Sequence, residues 1–281
     1  MRDRLALFGY RLLPKRALTE LLGRLARMQA GRLTTAVVRG FIARYGVEMA
    51  DAMQPAPGAY KTFNDFFTRA LRHGARPLAA ADLVAPVDGA IASFGALAGD
   101  RLVQAKGHDY SMLELLGGDA ALAARFAGGH FATLYLSPKD YHRVHMPCEG
   151  RLVAMVHVPG RLYPVNPATA RALPGLYARN ERVVCVFENA FGPWVLVLVG
   201  ATVVGSIATV WHGVVSPPRP RSPCRWTYEQ RALTLHAGDE MGRFQLGSTV
   251  VLLFPAGPLA FDPAWAPGRA IRMGEAMAMR R

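Results

Sequence analysis

Between Glu188 and Arg219 the chain carries no Asp, Glu, Lys or Arg. A charge-free run of that length either crosses a bilayer as a helix or is buried inside a protein as shorter elements. Val, Ile and Thr dominate its centre, from Trp194 to Trp211; Gly200 and Gly205 punctuate it, and Pro193, Pro217 and Pro218 bracket it. β-Branched residues are stiff in helices and pack well on a pleated sheet. The reading is therefore a set of buried strands, Trp194–Val199 and Thr202–Val210, and not a membrane span. With 281 residues, 51 % of them apolar, the chain can build a real core around them.

Similar short runs, separated by Gly and Pro, recur from Leu83 onward. They are Leu83–Pro86, Gly89–Gly95, Leu102–Lys106, His130–Leu136, Arg151–Pro159 and Arg182–Phe187. Near the C-terminus Gly242–Leu246 and Thr249–Phe254 read as two strands joined at Gly247-Ser248, most simply by a hairpin turn. Ser111-Met-Leu-Glu114 is a capping box that opens a short helix, and Asp119 caps another. The fold class expected is α+β, with helices first and a mostly antiparallel sheet core after them.

The helical part has a distinct character. Leu18, Leu21, Leu22 and Leu25 share one face, and Val37, Val38, Phe41, Ile42 and Tyr45 form a second stripe. Residues 1–46 carry ten basic residues against Asp3 and Glu20, a balance of +8 within a total of +13. An apolar stripe opposite arginines suits a helix lying in an anionic membrane interface, and equally a helical cap with a solvated basic face. Pro55, Pro57 and Gly58 mark a linker, which divides the chain into a basic helical segment, 1–57, and an α+β domain, 58–281. Thr62 or Asn64 caps a short helix just beyond it. No signal peptide is read at the N-terminus, where Arg2, Asp3, Arg4 and Arg11 break the apolar run and Pro14 follows. Three widely spaced cysteines, Cys148, Cys185 and Cys224, give no disulfide framework and fit a reducing compartment.

Three local clusters carry reactive groups. Pro86-Val-Asp-Gly89 sets Asp88 before a glycine; Tyr141-His-Arg-Val-His-Met-Pro147 holds His142 and His145; Leu246-Gly-Ser-Thr249 sets Ser248 after Gly247. Singly, these read as a turn, as ordinary polar residues and as a hairpin. Adding Cys148 to the histidines gives no standard metal spacing, and Pro147 blocks a helix there, so no metal is expected. Together the clusters hold an acid, an imidazole and a hydroxyl, the ingredients of a relay. Ser248 lies outside any Gly-x-Ser-x-Gly elbow. Its hydroxyl can instead reach the Gly247 carbonyl through a five-membered ring, and glycine lets the backbone bend for that attack. A serine hydrolase acting on an external ester, and a non-catalytic peripheral membrane protein, remain alternatives on this reading. No nucleic-acid motif accompanies the basic segment, so nucleic acid is not an expected partner.

Leu246-Gly-Ser-Thr249 resembles the self-cleavage motif of phosphatidylserine decarboxylases. Further blocks resemble the bacterial form of that family, in the family's order: Phe63-Asn-Asp-Phe-Phe-Thr-Arg69, Pro86-Val-Asp-Gly89, Leu136-Ser-Pro-Lys-Asp-Tyr-His-Arg-Val-His-Met-Pro-Cys-Glu-Gly150, Asn180-Glu-Arg-Val183, Val199–Ile207 and Met241-Gly-Arg-Phe244. The resemblance implies decarboxylation of phosphatidylserine to phosphatidylethanolamine and CO2. It implies a break between Gly247 and Ser248, giving chains 1–247 and 248–281 that stay together as a heterodimer; higher oligomers are left open. Ser248 is then the nucleophile and the precursor of a pyruvoyl cofactor, which forms a Schiff base with the substrate amine. His145 is the base for cleavage, Asp88 orients it, and His142 assists decarboxylation as a proton donor. A bilayer-bound anionic substrate supplies a reason for the basic segment, and the expected location is peripheral, on the cytoplasmic face of the cell membrane.

Overall fold

A computed structural model describes residues 15–105, 108–202, 206–245 and 248–280. The expectations placed on residues 2–14, 106, 203–205, 246 and 247, and on the side chains of residues 15–18, lie outside the described residues. The α+β class holds, with helices first and antiparallel sheets after them.

The described part of the charge-free run forms strands. Arg182–Asn189 and Gly192–Val199 pair antiparallel, and Ile207–Thr209 follows in a different sheet. Among the described residues no helix is long and apolar enough to cross a membrane. The largest sheet runs Cys224–Thr227, Gly150–Val158, Arg182–Asn189, Gly192–Val199, Ser248–Phe254, His130–Leu136, Gly89–Ala96 and Ala270–Ile271, with Thr234–Leu235 also on the Gly150–Val158 strand. Ser248–Phe254 lies inside it, paired on both edges and buried at every position. Its apolar run has no alternation because both faces are covered. Val250, Val251, Leu252 and Leu253 are completely buried, and each contributes roughly 1.5–3 kcal/mol of transfer free energy.

A second sheet orders Gly213–Ser216, Ile207–Thr209, Glu240–Phe244 and Arg143–His145. This corrects one expectation. The strands on either side of Gly247-Ser248 are not a hairpin: Glu240–Phe244 belongs to the smaller sheet and Ser248–Phe254 to the larger. The partners of the two strands are set by distant segments, Arg143–His145 and His130–Leu136.

The helices Lys15–Ala26 and Arg32–Tyr45 precede the sheets. Val38 of the second helix packs with Val47, Tyr60 and Phe66 in a small separate core, joined by Phe41, Ile42, Met49 and Phe63. That core therefore takes residues from both sides of position 57. Thr62 caps the helix Phe63–Phe67 through a reciprocal box with Asp65. Ser111 and Asp119 cap Met112–Leu115 and Ala120–Ala124 through one side-chain bond each, so the box expected at Ser111–Glu114 is present only in its Ser111 half. The other face of the helical pair is apolar and open: Leu21, Leu25, Met28, Leu33 and Val37 are each about half exposed or more. Leu22, Leu25, Met28, Leu33, Val37 and Phe41 help line a groove of about 680 Å³ on it. Arg219 ties this region to the sheets, reaching Glu20 at 3.6 Å and the buried Glu181 at 2.9 Å.

Candidate active site

One continuous segment, residues 136–145, builds most of the site. Leu136 ends its strand directly opposite Ser248 in the ladder. Ser137 then donates from both its backbone N–H and its hydroxyl to the Asp140 carboxylate, each at 2.7 Å, closing a tight loop. That loop aims the Asp140 carbonyl at His142 Nδ1, 2.8 Å away. A carbonyl only accepts, so Nδ1 carries the proton and Nε2 presents a lone pair. His142 is fully buried, Nε2 has no partner among the described residues, and the Phe67 ring lies against the imidazole with centroids 4.1 Å apart. Burial lowers the His142 pKa to about 3, with the nearby Arg69 charge acting in the same direction.

His145 follows on the strand Arg143–His145. Its Nδ1–H donates to the Gly238 carbonyl at 2.8 Å, so Nε2 is again the lone-pair nitrogen. The Tyr141 hydroxyl donates to it at 2.9 Å. Gly238 has φ 84, a left-handed conformation that suits glycine, and this turn directs its carbonyl to the imidazole. Burial is the main reason the His145 pKa falls below the ordinary histidine value; the Gly238 hydrogen bond and the charges of Glu240 and Asp88 oppose it. Both imidazoles are therefore neutral, the state a general base requires.

Asp88 approaches from the other side. His145 N–H bonds the Pro86 carbonyl at 2.8 Å, which brings the Asp88 turn beside the histidine strand. The carboxylate itself does not bond the imidazole. It accepts from Arg76 Nε at 2.9 and 3.2 Å, from Arg76 Nη2 at 2.5 Å and from Met273 N–H at 2.8 Å. Arg76 Nη1 also binds Asp51 at 2.7 Å. Gly89 is needed next to it, because a Cβ there would lie 2.3 Å from the Tyr135 carbonyl oxygen.

Ser248 is fully buried, and its Oγ has no hydrogen-bond partner among the described residues. Phe244 N–H bonds the His142 carbonyl at 3.0 Å, four positions before Ser248. Phe244 is thus tied to His142, and Ser248 stands opposite Leu136, six residues before His142. The structure gathers Ser248, His142 and His145 around one ten-residue segment and sets Asp88 at its flank, engaged by Arg76. Sequence reasoning missed Tyr141, Arg76, Phe67 and the Gly238 carbonyl. Tyr141 and Phe67 stand inside quoted blocks; Arg76 and a backbone carbonyl carry no local signature.

A neutral imidazole is the kind of group that can deprotonate a buried hydroxyl. The residues fit a prosthetic group made from Ser248. The orphan Oγ heads a rigid internal strand, and a second neutral imidazole with a free nitrogen belongs to the segment opposite it.

A family model described as phosphatidylserine decarboxylase matches residues 63–279, and a second, described as PSD, matches residues 5–46. The phosphatidylserine decarboxylase proenzyme of Albidiferax ferrireducens is 64 % identical over 278 residues, covering 99 % of this chain and 98 % of the relative. That of Variovorax paradoxus matches with the same identity and coverage. That of Acidovorax ebreus is 62 % identical over 280 residues, covering 100 % of this chain and 99 % of the relative.

Proposed function

The chain belongs to the phosphatidylserine decarboxylase family, and from that premise we propose that it converts phosphatidylserine to phosphatidylethanolamine and CO2 with a pyruvoyl group made from its own Ser248. The observation that carries the reading is the Ser248 hydroxyl, buried and with no partner among the described residues, at the head of an internal strand opposite Leu136, six residues before His142.

Maturation begins at His145. Its Nε2 takes the Ser248 proton, with the Tyr141 hydroxyl either yielding that position or passing the proton on. The serine oxygen attacks the Gly247 carbonyl carbon, and the amide becomes an ester. Removal of the Ser248 α-proton expels Gly247 as a carboxylate. The dehydroalanine left behind tautomerises and takes up water, and ammonia leaves. Asp88 supports the imidazolium by its charge across the site, held in place by Arg76 and the Met273 N–H.

The pyruvoyl group, once formed, supplies a ketone for the substrate amine and an electron sink for the pair released with CO2. His142 handles the proton. Its Nε2 presents a lone pair at neutral pH, so it first accepts a proton from the substrate ammonium and then returns it to carbon. The Asp140 carbonyl holds the ring in the tautomer that this requires.

We also propose that the enzyme sits peripherally on the cytoplasmic face of the cell membrane, with chains 1–247 and 248–281 as its two subunits. The exposed leucines at 21 and 25 and the basic balance of the first 46 residues support this.

The test is intact mass. Active protein should resolve into two chains, the smaller lacking a free amine and weighing one ammonia less than a peptide that starts at Ser248. Ser248→Ala should stay whole and release no CO2 from phosphatidylserine. A single uncut chain in active protein sinks the proposal, and covalent capture of Ser248 by a fluorophosphonate would instead support the hydrolase alternative.

A further inference from the structure

Arg69 ends the Phe63–Arg69 block, just after the helix whose Phe67 packs on His142. It is 5 % exposed, yet it lines a cleft of about 420 Å³ that also includes Asp88, Tyr135, Ser137, Lys139 and Tyr141. Its Nη2 donates to the Lys139 carbonyl at a long 3.3 Å, and its Cζ lies 5.6 Å from the centre of the Phe66 ring. Its Nε is buried with no acceptor, and among the described residues no carboxylate pairs with it. The acids around it are already engaged: Asp88 by Arg76 and Met273 N–H, Asp140 by Ser137. Burial accordingly lowers the Arg69 pKa. A guanidinium removed from water with no carboxylate in direct contact, only the charges of Asp88 and Asp140 at a distance, is costly to hold, and an anion that enters the cleft relieves that cost.

The cleft borders the site: Tyr141, which hydrogen-bonds His145, and Asp88 both line it. Tyr135 and Ser137, two of its lining residues, flank Leu136, the ladder partner of Ser248. Resting on the functional reading above, we propose that Arg69 is the anion-binding residue of the substrate site and receives the phosphodiester of the phospholipid headgroup. In phosphatidylserine only one oxygen and two carbons separate phosphorus from the amine nitrogen, so an amine held at Ser248 leaves the phosphate nearby. The substrate carboxylate is the other anion on offer, and the chemistry disfavours it. Decarboxylation disperses the carboxylate charge, so a guanidinium on that group would stabilise the ground state more than the transition state and slow the reaction. The phosphodiester keeps its charge from substrate to product, so gripping it costs nothing at the chemical step. Lys139 and Arg272, also on the cleft wall, add positive charge along the approach.

The experiment uses self-cleaved enzyme with Arg69→Gln and Arg69→Lys, soluble dihexanoyl phosphatidylserine as substrate, and two inhibitors. Glycerophosphoethanolamine carries the phosphodiester and an amine; L-serine carries the carboxylate and an amine. Arg69→Gln should raise KM about tenfold to a hundredfold, the range for a lost hydrogen bond to a charged group, with a far smaller effect on kcat. It should weaken glycerophosphoethanolamine inhibition in parallel and leave serine inhibition unaltered. Arg69→Lys, which keeps the charge and loses the fork, should fall between, and it carries the test if Arg69→Gln does not fold. A fall in kcat with loss of serine inhibition would move Arg69 to the carboxylate and overturn the proposal. Unchanged inhibition by both compounds, with only a lower melting temperature, would make Arg69 structural. Unmodified protein that binds glycerophosphoethanolamine through Arg69 but releases no CO2 would sink the functional reading and leave the anion site standing.

Discussion

Replacing Arg76 by methionine removes the one guanidinium that holds Asp88 and Asp51 together. Its side chain is 8 % exposed and bonds both carboxylates, three contacts to Asp88 and one to Asp51. Methionine keeps much of the volume and none of the charge. Breaking a buried pair by deleting one partner typically costs about 3–5 kcal/mol, because the remaining charge is left uncompensated. The Asp51 side chain is 16 % exposed and can recover some hydration, which favours the lower part of that range. A loss near 3 kcal/mol corresponds to a fall in melting temperature on the order of 10 °C for a chain of this size. The pH dependence identifies the cause. The Arg76 hydrogen bond is the largest reason the Asp51 pKa lies below its ordinary value. A depressed carboxylate pKa contributes stability that is present above the unfolded value, near 3.9, and is lost as pH falls through the folded one. The Asp51 part of the Arg76→Met penalty should therefore be full at neutral pH and shrink as pH falls below the ordinary carboxylate value, near 3.9, toward the depressed Asp51 one. The measurement is thermal unfolding in a Ser248→Ala background, which keeps the chain in one piece. An equal penalty at neutral and acidic pH would show that packing, not charge, accounts for the loss, and the electrostatic argument would be wrong.

Other outcomes concern the histidines and the membrane. His142→Ala should still cut itself but release CO2 about 10²–10⁴-fold more slowly; failure to cut would mean that the two histidines exchange roles. His142 is held neutral down to about 3, against an ordinary value near 6.5. The unfolded chain thus binds its proton first, and the native state loses stability as pH falls from about 6.5 toward 3, by at most about 1.4 kcal/mol per pH unit. Ser248→Ala/His142→Leu should lack that component, and a stability difference from Ser248→Ala that does not vary with pH would refute the assignment. Leu21→Glu with Leu25→Glu should release the protein from anionic vesicles in a flotation assay while self-cleavage continues. Charge reversal at Arg24 and Arg27 should weaken vesicle binding mainly at low salt, and unaltered binding of both variants would remove these helices from the membrane contact.

What was legible in the sequence was whatever is decided locally. The strand His130–Leu136 was expected with the bounds it has, because its β-rich run is bracketed by Gly129 and Pro138. The Thr62, Ser111 and Asp119 caps were readable because a cap accepts from the N–H three residues on. The supposed hairpin at Gly247-Ser248 failed for the opposite reason. Whether two neighbouring strands pair depends on what else competes for their edges, and Arg143–His145 and His130–Leu136 lie about a hundred residues away. In the site, the motifs point to Asp88, His142, His145 and Ser248, but not to their contacts. The groups that engage Asp88 and His145 are a guanidinium twelve positions upstream and a carbonyl ninety-three positions downstream. The carbonyl belongs to Gly238, whose residue type says nothing about that bond. Arg69 was quoted within a block, yet only the fold shows that its charge is buried without a carboxylate.

If the chain is cut before Ser248 as proposed, the place of Ser248–Phe254 inside the large sheet has a consequence for the lifetime of the product. Downstream of position 247, Ser248–Phe254 is hydrogen-bonded along both edges, Ala270–Ile271 closes on Gly89–Ala96, and Ala276–Arg280 lies between Leu83–Val84 and Leu259–Phe261. The smaller fragment is woven into the larger and cannot leave without opening ladders on both sides. Before the cut, unfolding is reversible in principle as a one-molecule event. After it, the same unfolding yields two separate pieces, and recovery becomes a second-order encounter that dilution defeats. The larger piece, deprived of an internal strand, then exposes two unpaired edges to its neighbours. The working lifetime of the matured molecule is therefore set by how slowly it first opens.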